Sequence, residues 1–261
     1  MKQRITDCFA KAKSEGRGAF VAYMTIGYPS LEKSEAAVET LISEGADIIE
    51  LGVPFSDPMA DGPVIQHSSQ CALNNGMTQK LLFEQLKNIR QVTDIPLLMM
   101  GYLNTAMQFG FENYCREAAA VGVDGFIIPD IPLEEYESHY KPIAERYGLK
   151  FVLLVTPETD DERVRRIDAI STGFVYLVSS ASTTGAQSSF GDEKQAYFKR
   201  IADMKLKNPT LVGFGVSNKA TFDAACQHSR GAIVGSAFVK ALEAEPTVDK
   251  AVARLMKELR S

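Results

Sequence analysis

Glu50 stands inside the run DIIELGVP, among apolar residues of the kind that build an interior strand. A carboxylate there is costly to bury unless it is hydrogen-bonded or has a chemical task. The ordinary explanation is a strand-end carboxylate paired with a lysine or arginine. Asp61 follows eleven residues later, in MADGP, on a connection that should curl over the same strand end. Asp-Gly is also a common turn, so Asp61 taken alone says little. Taken together, two carboxylates facing one substrate can divide acid–base work. Burial raises Glu50 toward neutrality and makes it a proton shuttle, while a wetter Asp61 stays ionised as a fixed negative charge.

Three later segments have the chemistry of an anion site: SSASTTGAQ, GFGVSN and VGSAF. Glycines let backbone N–H groups approach an anion closely, and a helix N-terminus adds a favourable dipole. Tyr102, Asn104, Asp130 and Tyr176 fall at or just past strand ends, where they either line a pocket or, for the tyrosines, pack a core. His67, His139 and His228 do not pair at metal-ligand spacing and the cysteines do not supplement them, so no metal is expected. Lys150 opens its strand instead of ending it, which disfavours a Schiff-base lysine.

Positioning these groups requires a scaffold that gathers strand ends from distant parts of the chain. Eight short apolar runs supply candidates: Ala19 to Thr25, Ile48 to Leu51, Pro96 to Met100, Gly125 to Ile128, Phe151 to Val155, Phe174 to Val178, Leu211 to Phe214 and Ala232 to Val234. They lack polar alternation, as parallel strands covered on both faces do. Helical patterns lie between them, including Glu32 to Ser43, Thr78 to Val92, Phe111 to Val121, Asp160 to Ile170 and Asp192 to Lys205, several opening on Ser, Thr or Asp.

Strict β-then-α order specifies a parallel sheet with right-handed crossovers. At 261 residues the chain is close to the ~250 of a complete barrel, so the reading is α/β, one (β/α)₈ TIM-barrel domain over residues 1–261, with a doubly wound open sheet as the other candidate. The amphipathic pattern of Ile5, Cys8, Phe9 and Ala12 adds an N-terminal helix that plugs the bottom. The longest interruption, Pro54 through Ser68, carries three prolines and two aspartates, and long loops in compact domains are usually functional.

Composition narrows the class. Hydrophobic residues make up 45% and charged residues 23%, ordinary globular usage. A net charge of -5 offers no global field for nucleic acid or an anionic membrane. Cys8, Cys71, Cys115 and Cys226 show no CxxC spacing, which fits reduced thiols in the cytoplasm. No run approaches the ~18 apolar residues of a membrane span, and the first segment lacks the features of a signal or transit peptide.

The segment IIELGVPFSDPMADGPVIQ, Ile48 to Gln66, closely resembles the signature of the tryptophan synthase alpha subunit family. PLLMMGYLN, VGVDGFIIPDIPLEE, STTGA, GFGVS and IVGSAFVK follow in the same order, so the resemblance covers essentially the whole chain. It implies retro-aldol cleavage of indole-3-glycerol phosphate to indole and glyceraldehyde 3-phosphate, with no cofactor in this subunit. By resemblance Glu50 shuttles protons and Asp61 accepts the indole N–H. Gly185, Gly215, Gly235 and Ser236 hold the phosphate. Phe20 and Phe214 flank the indole, with Tyr102 and Tyr176 in the pocket wall, and Thr184 packs against Asp61. Many members carry an arginine and a further glycine after strand six where this chain has Ser180 and Ser182, which puts the closing contacts of that loop in doubt. The implied partner is a pyridoxal-phosphate beta subunit in a two-alpha, two-beta assembly, with Asp57 on the contact loop. A neighbouring phosphate barrel, such as an indole-glycerol-phosphate synthase, would need strand-end lysines that the sequence lacks. A non-catalytic barrel that docks on a partner enzyme is the alternative from another class.

Overall fold

The computed structural model describes residues 3–179 and 190–260. Among them, eight parallel strands close a barrel in sequence order, β1 through β8. The strands are β1 (Ala19–Thr25), β2 (Ile48–Gly52), β3 (Leu97–Met100), β4 (Gly125–Ile127), β5 (Lys150–Val155), β6 (Val175–Val178), β7 (Thr210–Gly213) and β8 (Gly231–Val234). Nearly every strand residue is buried, as the unbroken apolar runs require when helices cover the outside and side chains fill the inside. Register sets Tyr23 of β1 beside Glu50 of β2, and β8 returns to β1 with Ala19 opposite Gly231.

The helices are α1 (Arg4–Ser14), α2 (Leu31–Ser43), α3 (Pro63–Asn74), α4 (Gln79–Leu86), α5 (Leu103–Phe109), α6 (Phe111–Ala120), α7 (Leu133–Glu135), α8 (Lys141–Arg146), α9 (Asp161–Ile170), α10 (Asp192–Asp203), α11 (Lys219–Cys226), α12 (Ser236–Ala244) and α13 (Val248–Arg260), with a π-helical turn over Tyr136–Tyr140 joining α7 to α8. Thr78 and Asp160, which open two of the sequence patterns, act as caps, as does Ser30, whereas Asp192 lies inside its helix behind Gly191. Ser30 accepts from Lys33 N–H, Thr78 from Leu81 N–H and Asp160 from Arg163 N–H. None of the described helices is long and apolar enough to cross a membrane.

Three boundaries differ from the sequence reading by more than one residue. The long connection after β2 ends at Gly62, because Pro63 can open a helix where no N–H is needed. The helix expected over Thr78 to Val92 stops at Leu86, and a 3₁₀ turn at Ile89–Gln91 follows. That turn carries Arg90 to the carbonyl oxygens of Gly122 and Ile95. The helix expected to reach Lys205 stops at Asp203, and Lys205 takes a left-handed conformation at φ 50°.

The N-terminal helix lies at the bottom of the barrel. Ile5 and Ala12 are buried, and Phe9 meets Phe174, just ahead of β6, edge-on at 6.1 Å. Asp124, which precedes β4, ties this end together. It accepts from Arg4 at 3.0 Å, from Arg90 and from the Leu97 N–H at 2.9 Å, with a side chain only 5% exposed. Removing Asp124 takes the shared carboxylate from two half-buried guanidinium groups and the acceptor from the Leu97 N–H, a loss of the kind that costs about 3–5 kcal/mol in buried clusters. Asp124→Ala is therefore expected to lower unfolding free energy by about 3 kcal/mol or more. Chemical denaturation measures it, and a loss under about 1 kcal/mol would show that the bottom cluster is not a structural tie.

Candidate active site

The site begins with two tyrosines crossing the barrel mouth over glycines. A side chain at Gly52 would put its Cβ 2.3 Å from the Tyr23 hydroxyl, and one at Gly213 would lie 2.1 Å from the Tyr176 hydroxyl. The absent side chains on β2 and β7 are what let phenols from β1 and β6 lean across their neighbours. They wall a cleft of about 470 Å³, lined by Glu50, Asp61, Phe214, Gly215, Gly235 and Ser236. Ile65, Met100, Val216 and Ile233 give it an apolar remainder.

Glu50 is fully buried, and neither carboxylate oxygen has a hydrogen-bond partner among the described residues. Burial pushes its pKa up to about 8, and the nearby charge of Asp61 adds to the shift. The alternative of a strand-end carboxylate paired with a lysine or arginine finds no support among the described residues. Asp61 is buried too, though less completely than Glu50, at 7% exposed. Burial raises it to about 6, and the smaller opposing effect is a hydrogen bond of 2.8 Å from the Tyr102 hydroxyl. What separates the pair is therefore this hydroxyl and the deeper burial of Glu50. Near neutral pH, Glu50 is mostly protonated and Asp61 mostly ionised.

Tyr102 lies behind Asp61 and does not line the cleft. Its hydroxyl also accepts from Ala60 N–H at 3.0 Å, and its ring lies 5.2 Å from that of Phe55. Tyr176 lines the cleft and meets Phe214 edge-on at 6.1 Å. Phe214 takes a left-handed backbone at φ 67°, a strained conformation for a bulky residue that is typical of functional sites. Ser179 steadies it by donating to its carbonyl at 2.7 Å.

The other end of the cleft suits an anion. Gly235 caps α12 without a side chain, and Ser236 is that helix's first residue, so its leading N–H groups and dipole face the cleft. Gly215, at φ 78°, brings a further stretch of backbone close. Gly185 and Thr184 lie outside the described residues, as do Ser180 and Ser182.

Phe20 is not brought to the site. Its ring meets Phe222 of α11 at 6.5 Å, toward the outer layer, and its N–H is held by Asp47 at 2.8 Å. Tyr23, three residues along, has the opposite strand parity and occupies the wall position assigned to Phe20. The signal was available, since Tyr23 shares an inward parity with Thr25 while Phe20 shares its parity with Ala22 and Met24. Asp130 accepts from Leu103 N–H at 2.9 Å and so staples a loop, and Asn104 is exposed. Asp57 is exposed on the Asp61 loop beside Met59, which is 86% exposed. No group of three or more His, Cys, Asp or Glu able to hold a metal occurs among the described residues.

Comparison with known proteins places the sequence and the fold in one family. The family model described as tryptophan synthase alpha chain matches residues 9–261. The tryptophan synthase alpha chain of Bacteroides thetaiotaomicron is 57% identical over 238 residues, covering 91% of this chain and 93% of that one. That of Parabacteroides distasonis is 52% identical over 257 residues, covering 98% and 99%. Among solved structures, a chain of Mycobacterium tuberculosis tryptophan synthase superposes with a TM-score of 0.87 at 32% identity, over 98% of this chain and 96% of that one. The tryptophan synthase A-subunit of Pyrococcus furiosus gives 0.83 at 35% identity, over 93% and 96%. From residue 9 onward, with the buried carboxylate pair and the glycine-lined mouth inside the matched region, the chain belongs to the tryptophan synthase alpha chain family.

Proposed function

We propose that Glu50 and Asp61 cleave indole-3-glycerol phosphate by a retro-aldol reaction, releasing indole and glyceraldehyde 3-phosphate as the lyase step of tryptophan biosynthesis. The observation that carries this reading is the sealed carboxylate pair with its two acidities held apart, Glu50 at about 8 and Asp61 at about 6. Indole leaves poorly as a carbanion, so C3 must first gain a proton. Protonated Glu50 supplies it, and the ring becomes cationic. Ionised Asp61 accepts the N1–H and stabilises that charge. The bond from C3 to the glycerol carbon then breaks, its electrons neutralise the ring, and the adjacent hydroxyl loses its proton to Glu50 as the aldehyde forms. Glu50 ends protonated as it began, so the cycle needs no external acid. Positioned acid–base help of this kind contributes ~10²–10⁴-fold.

The phosphate would rest at the start of α12 and on Gly215, with the indole between Tyr23, Tyr176 and Phe214. Family membership implies a beta subunit as partner, and one solved relative is a tryptophan synthase complex from Pyrococcus furiosus. We infer a two-alpha, two-beta assembly in the cytoplasm, in which the beta subunit carries pyridoxal phosphate and turns indole and serine into tryptophan. No organic cofactor or metal enters the alpha step as written. The exposed Asp57 and Met59 support placing the partner against the loop that holds Asp61.

Supplying indole-3-glycerol phosphate to the chain together with a cognate beta subunit and following indole or tryptophan tests the reaction. Glu50→Gln and Asp61→Asn should each cut kcat by about 10²-fold or more while leaving the fold intact. A rate within about twofold of the parent in either variant would remove that residue from the mechanism. Activity requires Asp61 ionised and Glu50 protonated. kcat/KM should therefore fall as pH drops through about 6 and again as it rises through about 8. A profile flat from pH 5 to 9 would contradict the assignment of both groups.

Ser236→Asp should place a like charge at the helix start where the phosphate is expected. Glycerol 3-phosphate should then protect the parent against thermal unfolding and leave the variant's melting temperature unchanged. Equal protection of both would put the phosphate elsewhere.

A further inference from the structure

The Asp61 loop is held from a direction that the reaction itself does not explain. Ser69, on the buried face of α3, makes two hydrogen bonds to one loop residue: its hydroxyl accepts the Phe55 N–H at 2.8 Å and donates to the Phe55 carbonyl at 3.0 Å. Phe55 lays its ring against Tyr102, whose hydroxyl accepts the Ala60 N–H and donates to the Asp61 carboxylate. At the far end of the loop, Gln66 of α3 donates to the Asp61 carbonyl at 2.9 Å. The helix is itself bolted to the barrel, because Ser68 bonds Thr25 of β1 at 2.6 Å, with both side chains at most 1% exposed. α3 thus grips the loop on both sides of Asp61 from a fixed base.

We propose that Ser69 is a positioning residue for Asp61, acting through Phe55 and Tyr102 to hold that carboxylate sealed against Glu50. The proposal rests on the retro-aldol reading for its kinetic consequence, though the clamp itself is independent of that reading.

Without the Ser69 hydroxyl, the Phe55 N–H and carbonyl must find water, which opens the loop beside Tyr102. Two opposing effects then act on Asp61. Water entry lowers its pKa, and a weakened Tyr102 bond raises it. Burial is the larger of the two in the intact site, so the net movement is downward. The other titratable groups facing Asp61 are Glu50 on β2, Tyr23 on β1, Tyr102 ahead of α5 and Tyr176 on β6. The tyrosines stay neutral through this range. Glu50 owes its shift first to its own burial on the strand, so the basic limb should move little.

The test compares Ser69→Ala and Ser69→Thr with the parent chain, each with its beta subunit. Ser69→Ala should lower kcat roughly tenfold with KM within about twofold, since a small misplacement of a reacting group is costly. Its acid limb should move to lower pH, and Ser69→Thr should restore both. Carbon-13 titration of the Asp61 carboxyl should show the same downward shift without reference to turnover. A Ser69→Ala chain with an unmoved acid limb and an unmoved Asp61 titration overturns the proposal, even if it is slower or melts earlier. If the parent releases no indole while the carboxyl titration still drops in Ser69→Ala, the clamp stands and the reaction assigned to it falls.

Discussion

A glutamate with no hydrogen-bond partner among the described residues, in the middle of a parallel barrel, is the constraint around which the rest of the fold is arranged. Moving Glu50 from its usual 4.5 to about 8 corresponds to on the order of 5 kcal/mol against its ionised form. The sign matters for the whole fold. Between those two values the unfolded chain has already released the proton that the folded chain keeps, so folding takes up a proton and stability falls as pH rises. At neutral pH the barrel carries most of that cost. Nearly continuous burial of eight strands and their helices is what offsets it, and a smaller or leakier core would let water in and return Glu50 to an ordinary carboxylate.

The cleft is shaped by subtraction as much as by addition. Gly52 and Gly213 leave room that the Tyr23 and Tyr176 hydroxyls take up. The apolar wall and the sealed carboxylates therefore come from the same packing decision. A methyl group on either glycine would drive a phenol toward the substrate space and disturb the environment of Glu50 together with it. This coupling is why the acidity of the pair cannot be understood from Glu50 and Asp61 alone.

Much of this was legible in the residues. The eight apolar runs marked the strands to within a residue or so, since parallel strands buried on both faces lack polar alternation, and eight strand-then-helix units favoured a closed barrel over an open sheet. Glu50 stood out because a carboxylate in an apolar run is unusual, and Asp61 stood out only in company with it. What failed did so for local reasons. Phe20 was carried over from the family resemblance to the wall that Tyr23 provides, without regard to the two-residue parity of the strand. Asp61 is drier than a loop position suggests, because Tyr102 and Phe55 close over it, and it stays only slightly wetter than Glu50. Ser68 and Ser69 drew no attention because a buried serine on a helix has no sequence signature. Their meaning lies in partners that are neighbours only after folding.

The placement of the two carboxylates also decides which can be regulated. Glu50 is fixed by strand register, between the ladders to β1 and β3, and cannot move without disturbing the barrel. Asp61 is held by local contacts of its loop: Tyr102 donates to its carboxylate, Gln66 donates to its carbonyl, and its own N–H donates to the Pro58 carbonyl. Contacts of that kind exchange at a cost of one or two hydrogen bonds, on the order of 1 kcal/mol each. The exposed Asp57 and Met59 are only a few residues away on the same stretch of chain. Anything that docks there acts on the weaker-held member of the pair and leaves the proton shuttle where it is. A ligand shifts such a loop only by its differential affinity for the two poses, so a modest contact suffices when the poses differ by one or two hydrogen bonds. Dividing the chemistry between a rigid strand and an adjustable loop thus separates acid strength, which the barrel sets, from readiness, which the loop sets.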